Sequence, residues 1–153
     1  MSEILAAVQE RTFARAMEAT AASYPSEHRL TGDQLAVYLD RREFAVVGST
    51  RADGRPHAAM SSYFRRDGTF WLPTVGGSVR ERNIRAQPWT TMVVTEGDHH
   101  HHIVVIIEGP TQIIAPADAP LEICQAMSSD WVGAWLRLRT ERLLSYAASA
   151  ALS

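Results

Sequence analysis

Two Asp-Gly pairs, Asp53-Gly54 and Asp67-Gly68, each stand between runs of strand-forming residues. Phe44 to Thr50 precedes the first pair, Pro56 to Phe64 follows it, and Thr69-Phe70-Trp71-Leu72 follows the second. Asp-Gly between such runs is the strongest short-range hairpin signal, so residues 44–72 are committed to antiparallel neighbours. Trp89 to Thr95 reads as a fourth strand. Glu96-Gly97-Asp98 and four histidines turn the chain into a fifth, His102 to Glu108, which Thr111 to Ile114 extends. Arg142 to Ala147 is a sixth. Residues 2–22, rich in Ala, Glu, Arg and Met, predict a helix with a loose apolar stripe. Thr31-x-x-Gln34 is a capping box that opens a second helix, with Leu35, Tyr38 and Leu39 on one face. Pro116 to Met127 reads as a helix, and Trp131, Val132, Trp135 and Leu136 fit the face of another. The expectation is an α+β domain over residues 1–153, with residues 1–43 packed on the sheet or on a partner. A small barrel is the economical way to protect the edges of six such strands.

The stretch Thr74-Val-Gly-Gly-Ser-Val-Arg-Glu-Arg-Asn-Ile-Arg85 joins a strand to a short helix. Ser78-x-x-Glu81 fits a capping box. A helix start presents free N–H groups and a partial positive charge, which suits a phosphate. Gly76 and Gly77 let backbone approach a ligand, and Arg80 adds a forked donor matched to phosphate. Taken alone, the same residues are also ordinary turn-and-cap chemistry.

Composition narrows the partners. The chain has 153 residues, is 46% hydrophobic and carries a net charge of −2. All fifteen basic residues are Arg, clustered only locally, so nucleic-acid binding is not expected. The one cysteine, Cys124, excludes an intrachain disulfide and reads as a buried structural thiol. The longest apolar run, Ile103 to Ile107, is too short to span a bilayer, and the first residues lack a leader pattern. The expectation is a cytoplasmic protein without membrane contact. His99 to His102, with Asp98 nearby, invite a metal, but alternating side chains on an extended segment make a solvated hairpin tip the better reading.

An ordered series of short motifs then resembles the flavin-binding split-barrel family of the pyridoxamine 5′-phosphate oxidases and their deazaflavin-using relatives. It runs Phe44-x-Val-Val-Gly-Ser-Thr50, Asp53-Gly-Arg-Pro-His57, Asp67-Gly68, Leu72-Pro-Thr74, Ser78-x-Arg80-x-x-Asn83-Ile84-Arg85-x-x-Pro88 and Val105-x-x-Glu108-Gly-Pro-Thr111. The tail from Trp135 to Tyr146 is similar to the family's closing strand. The resemblance implies an antiparallel six-stranded split β-barrel with peripheral helices, forming a homodimer with cofactor sites at the subunit interface. It implies FMN, or alternatively the deazaflavin F420, as cofactor. His57, Ala58, Ala59, Met60 and Ser61 would lie along the isoalloxazine ring. Thr74, Ser78 and Arg80 would hold the phosphate, with Pro73 and Val79 also among the cofactor-binding residues. Two positions depart from the family: Ala59 where the oxidases carry a basic residue, and Met60 where many relatives carry Pro. The family's C-terminal substrate-phosphate set is also missing, so vitamin B6 oxidation is not the expected reaction.

No nucleophile–base pair stands out, which suits flavin chemistry, where the cofactor carries the reaction. The leading expectation is an oxidoreductase acting on a small conjugated substrate. The rivals are a non-catalytic module that stores or senses flavin or holds haem, and a structural dimer with a vestigial site.

Overall fold

Every second side chain of β1 (Phe44–Thr50) points inward: Ala45, Val47 and Ser49 are buried, while Phe44 and Val46 are exposed. That period of two is what a strand with one covered face requires. The Asp53-Gly54 turn, with Gly54 at φ 91°, returns the chain into β2 (Pro56–Ser62), which places Thr50 opposite Pro56 and Phe44 opposite Ser62. Asp53 fixes the turn by accepting from the Arg55 amide at 3.0 Å and its guanidinium at 2.8 Å. Asp67, at φ 55°, and Gly68 join β3 (Phe64–Arg66) to β4 (Thr69–Thr74). The structure is a computed structural model and describes residues 2–127 and 129–151. Residues 1, 128, 152 and 153 of the expected domain lie outside the described residues.

The remaining strands are β5 (Trp89–Glu96), β6 (Ile103–Ile114), β7 (Ala134–Arg139) and β8 (Arg142–Ala147). All pairings are antiparallel, in the order β2-β1-β5-β6-β7-β4-β3, with β8 also on β6. Residues 103–108 of β6 are held by β5 on one side and β8 on the other, and residues 111–114 by β7. One long strand thus belongs to two sheets, which curl toward each other. β2 is an edge that pairs only with β1, so a slit remains between β2 and the end of β4. This is the split antiparallel barrel of the α+β class. Eight strands are described where six were expected. Residues 56–64 break at Tyr63, whose amide turns to Glu43 O at 3.3 Å as the chain crosses between sheets. Trp135 and Leu136, expected on a helical face with Trp131 and Val132, lie in a strand over residues 134–139 that pairs with both β4 and β6.

Phe70, Leu72, Met92, Val105, Leu136 and Leu143 meet inside the barrel, each fully buried. The helix α1 (Ser2–Ala14) buries Leu5 and Val8 against them. Its Thr12 Oγ1 accepts from the Leu143 amide at 3.1 Å, and Gln9 bonds the Ser145 hydroxyl, so α1 is tied to β8. The single helix expected over 2–22 is two, α1 and α2 (Glu18–Ser23). Amides of Arg15 and Ala16 close back on Thr12 and Phe13, and Arg29 sits 3.5 Å over the Phe13 ring, which anchors the bend. The capping box at Thr31 is complete and opens α3 (Gly32–Arg41), whose Leu35, Tyr38 and Leu39 are buried as its spacing predicted. The helix expected over 116–127 is shortened to a single 3-10 turn, Pro116–Asp118, and α5 (Leu121–Ala126), because Pro120 interrupts it. Cys124 on α5 is half-buried, not buried, with its thiol 3.5 Å from Pro116 O. Among the described residues no helix is long and apolar enough to cross a membrane.

Candidate functional site

The Gly-Ser stretch folds into a loop and α4 (Val79–Ala86), seated beside the slit. Ser78 is the N-cap, and its Oγ accepts from the Glu81 amide at 3.2 Å. The Glu81 carboxylate reaches past the cap to the amide of Gly77, at φ 75°, rather than to Ser78, whose own amide bonds Val75 O. Ser78 Oγ also lies 2.9 Å from Thr74 Oγ1, so two hydroxyls meet at the helix start. Val79 and Arg80 occupy the first two helical positions, where amides have no partner within the helix. Asn83 is buried and donates to Ser49 Oγ at 3.1 Å, which locks α4 to β1.

Arg80 is the residue out of balance. Its Nε and Nη1 are buried and find no acceptor among the described residues. Burial with no compensating carboxylate pulls its pKa below the usual arginine value. An unpaired buried cation is costly unless something anionic joins it. Beside it opens a cavity of about 710 Å³ in the slit. One wall is the end of β2 with Met60 and Ser61; another is the end of β4 with Pro73 and Thr74. Ser78 and Arg80 occupy the polar end, and Phe44, Met127 and Trp131 add apolar surface.

Six expected site residues, Met60, Ser61, Pro73, Thr74, Ser78 and Arg80, are therefore brought together. His57, Ala58 and Ala59 are further along β2 and do not line the cavity, although β2 leaves one backbone edge unpaired beside the slit. His57 Nδ1 is buried without a partner among the described residues. Val79 is 40% exposed and borders a separate groove with Asp53 and Arg82.

Other lining residues went unread. Trp131 was expected with Trp135 on a helical face. Trp135 is instead a buried residue of β7, and Trp131 precedes that strand at the cavity rim. What brings Trp131 there is a close backbone approach: the Gly133 amide donates to Thr74 O at 2.9 Å, and a Cβ on Gly133 would lie 2.5 Å from Gly76 N. Nothing local to Gly76 or Gly133 signals that pairing. Tyr63 also lines the cavity, but its hydroxyl donates to Leu39 O at 2.5 Å and burial pushes its pKa up. Asp40 is engaged by Arg65 at 2.7 Å. Tyr63 and Asp40 are thus engaged by the fold, which leaves Glu43 as the other carboxylate on this lining. The arrangement suits a flat, largely apolar ligand with an anionic tail.

The four histidines form an exposed turn: Asp98 accepts from the His100 amide at 3.1 Å and lies 3.2 Å from His101 Nδ1. His102 stacks on Tyr146 at 5.2 Å between ring centroids, and His28 covers the other face at 4.7 Å. Among the described residues no three His, Cys, Asp or Glu side chains are placed to hold a metal ion.

The family model described as pyridoxamine 5′-phosphate oxidase matches residues 31–149. A comparison with curated protein sequences gives no match. Among solved structures, a conserved hypothetical protein of Mycobacterium tuberculosis superposes with a TM-score of 0.68 at 18% identity, covering 81% of this chain and 89% of its own. An FAD-binding protein of Mesorhizobium loti gives 0.64 at 17% identity, with 78% and 96% covered. HutZ, the heme storage protein of Vibrio cholerae, gives 0.63 at 13% identity, again with 78% and 96% covered. At these identities the likeness is one of fold.

Proposed function

Because the chain belongs to the pyridoxamine 5′-phosphate oxidase family, we propose that the slit cavity holds a flavin by its phosphate and that the protein is a cytoplasmic oxidoreductase. FMN is the cofactor this reading favours; the deazaflavin F420 would use the same anchor. The observation that carries it is the half-buried Arg80 guanidinium at the start of α4, whose Nε and Nη1 are buried without an acceptor among the described residues. Arg80, Ser78 and Thr74 would grip the phosphate, helped by the helix-start amides. The free edge of β2, from His57 to Ser61, would run along the ring and contact it through backbone groups. A bound flavin supplies the hydride-accepting centre. The chain's own part is to orient it, shield one face with Met60 and Phe44, and leave the Met127–Trp131 side for a small conjugated substrate. Ala59 in place of a basic residue argues against pyridoxamine phosphate as that substrate.

A second copy of the chain is the partner this reading requires. Met60, Val46, Val93, Ile106 and Leu144 are successive cross-strand partners and form an apolar row over β2, β1, β5, β6 and β8. Met60 is 69% and Val46 46% exposed, and Met60 also lines the cavity, so a partner on this face would meet the ligand.

Titration of apo protein with FMN and with F420, followed by visible absorption, tests the assignment. Arg80→Ala is expected to weaken FMN by about tenfold or more, the usual loss of a charged hydrogen bond. Wild-type affinity in that variant would remove the assignment. The second reading, a module that holds flavin or haem without turnover, draws support from the engaged Tyr63 and Asp40. A Soret-type band, or bound flavin that no reductant and acceptor pair turns over, would favour it.

A further inference from the structure

A second cavity, about 890 Å³, shares no lining residue with the first. It lies between α1, the Asp67-Gly68 turn, the end of β7 and the segment around Asp118. Arg11, Arg66, Arg137 and Arg139 border it. Arg66 is paired with Glu122 at 2.7 Å, and Arg137 donates to Gln112. The Arg11 and Arg139 side chains have no such partner among the described residues. Two nearly buried residues add unmet polar atoms to the same lining. Trp71 is 4% exposed and Thr140 7%, and among the described residues the Trp71 Nε1 has no acceptor and the Thr140 Oγ1 no partner. An indole N–H and a guanidinium can only donate. A buried donor left unmet is costly, so the Trp71 N–H calls for an acceptor, while the exposed Arg11 and Arg139 add positive charge at the rim. The Arg137 guanidinium, 5.8 Å from the Trp71 ring centroid, keeps positive charge beside the indole. Asp67, Asp118 and Glu141 also border the cavity. They disfavour a polyanion and limit the ligand to one charged group.

We propose that this cavity is a second ligand site, for a small molecule carrying a single oxyanion group, either a carboxylate or a phosphate monoester. It does not depend on the flavin reading, because it uses none of those residues. The test follows the four indole N–H signals of ¹⁵N-labelled full-length protein during titration with inorganic phosphate and, separately, benzoate. Loss of one signal in Trp71→Phe assigns Trp71. The expected result is a saturable shift of the Trp71 signal with one or both anions, in wild type and equally in Arg80→Ala. The anion that acts at lower concentration identifies the oxyanion class. Arg139→Gln and Arg11→Gln, on different elements, should each weaken the response about tenfold, as loss of a charged donor does, while retaining a dispersed spectrum. A Trp71 signal unmoved by both anions overturns the proposal. So does a shift of full strength in both arginine variants, and so does a shift abolished by Arg80→Ala, which would place the anion in the slit.

Discussion

Arg80 folds at a cost, and that cost separates two roles. If its charge is present for a ligand, removing it should help the empty protein. Arg80→Met, which keeps the packing stem, is expected to raise the stability of the apo form by about 1 kcal/mol, because an uncompensated buried charge is removed. Thermal unfolding without ligand measures this, and a lower melting temperature would mean that the guanidinium serves the fold. Gly133 makes the opposite prediction. Its added Cβ would meet backbone, Gly76 N at 2.5 Å and Gly76 Cα at 2.7 Å, which cannot rotate away. Gly133→Ala should cost about 1–3 kcal/mol, as overpacking does, and weaken flavin by displacing Trp131. Trp131→Ala, at an exposed position, should weaken flavin with little change in melting. The polar end of the site was legible in the sequence because Thr74, Ser78 and Arg80 sit within one strand-to-helix turn. Trp131 and Met127 were not, since they reach the cavity only through the Gly76–Gly133 approach, which no local pattern encodes.

The Thr31 capping box, the Ser78 N-cap and the hairpin turns read correctly because their hydrogen bonds close within three or four residues; the Glu81 half of the expected box at Ser78 goes to Gly77 instead. Thr31→Ala should cost about 1 kcal/mol, measured by denaturant unfolding, since the Gln34 amide loses its acceptor. Strand β7 misread for the converse reason. Leu136 and Leu138 face the barrel core while Trp135 packs with Trp71 and Ile123 on the other side; Leu136 to Arg139 alternates as a strand should, but Trp131, Val132, Trp135 and Leu136 also fit helical spacing, and that pattern competed with it. Its pairing with β4 and β6 is set by residues far away in sequence. Between elements, Glu96 at the end of β5 accepts from Arg41, the last residue of α3, and from Arg42 just after it. The Arg41 hydrogen bond, foremost, holds the Glu96 pKa below the ordinary 4.5. A depressed carboxylate stabilises the fold above its unfolded pKa and loses that contribution as pH falls through the folded one. The tie should therefore be whole at neutral pH and fade below about pH 4.5. Both partners are part-exposed, so Glu96→Gln should cost under about 1 kcal/mol at pH 7 and make the acid limb of the stability profile shallower.

At the scale of the molecule, a small antiparallel barrel was readable from the order of its turns and its split form from the family resemblance; the strand count was not, because the crossing at Tyr63 and the placement of β7 are tertiary events. The apolar row from Met60 to Leu144 gives a prediction at this scale. Val46→Glu puts a charge on the exposed end of this row beside Met60 without entering the core, so the variant should stay folded yet sediment as a monomer where wild type sediments as a dimer. A wild-type monomer at micromolar concentration would refute the dimer. The double membership of β6 reaches further. The amides of Val105 and Ile107 sit in a strand that β5 and β8 flank, and β7 continues the same strand. Neither sheet can detach without unzipping the backbone of the other. Hydrogen exchange in the middle of β6 should then proceed only by global unfolding, while amides on the free edge of β2 exchange by small local openings. A ligand lodged against β2 would have an exit that leaves the rest of the barrel closed.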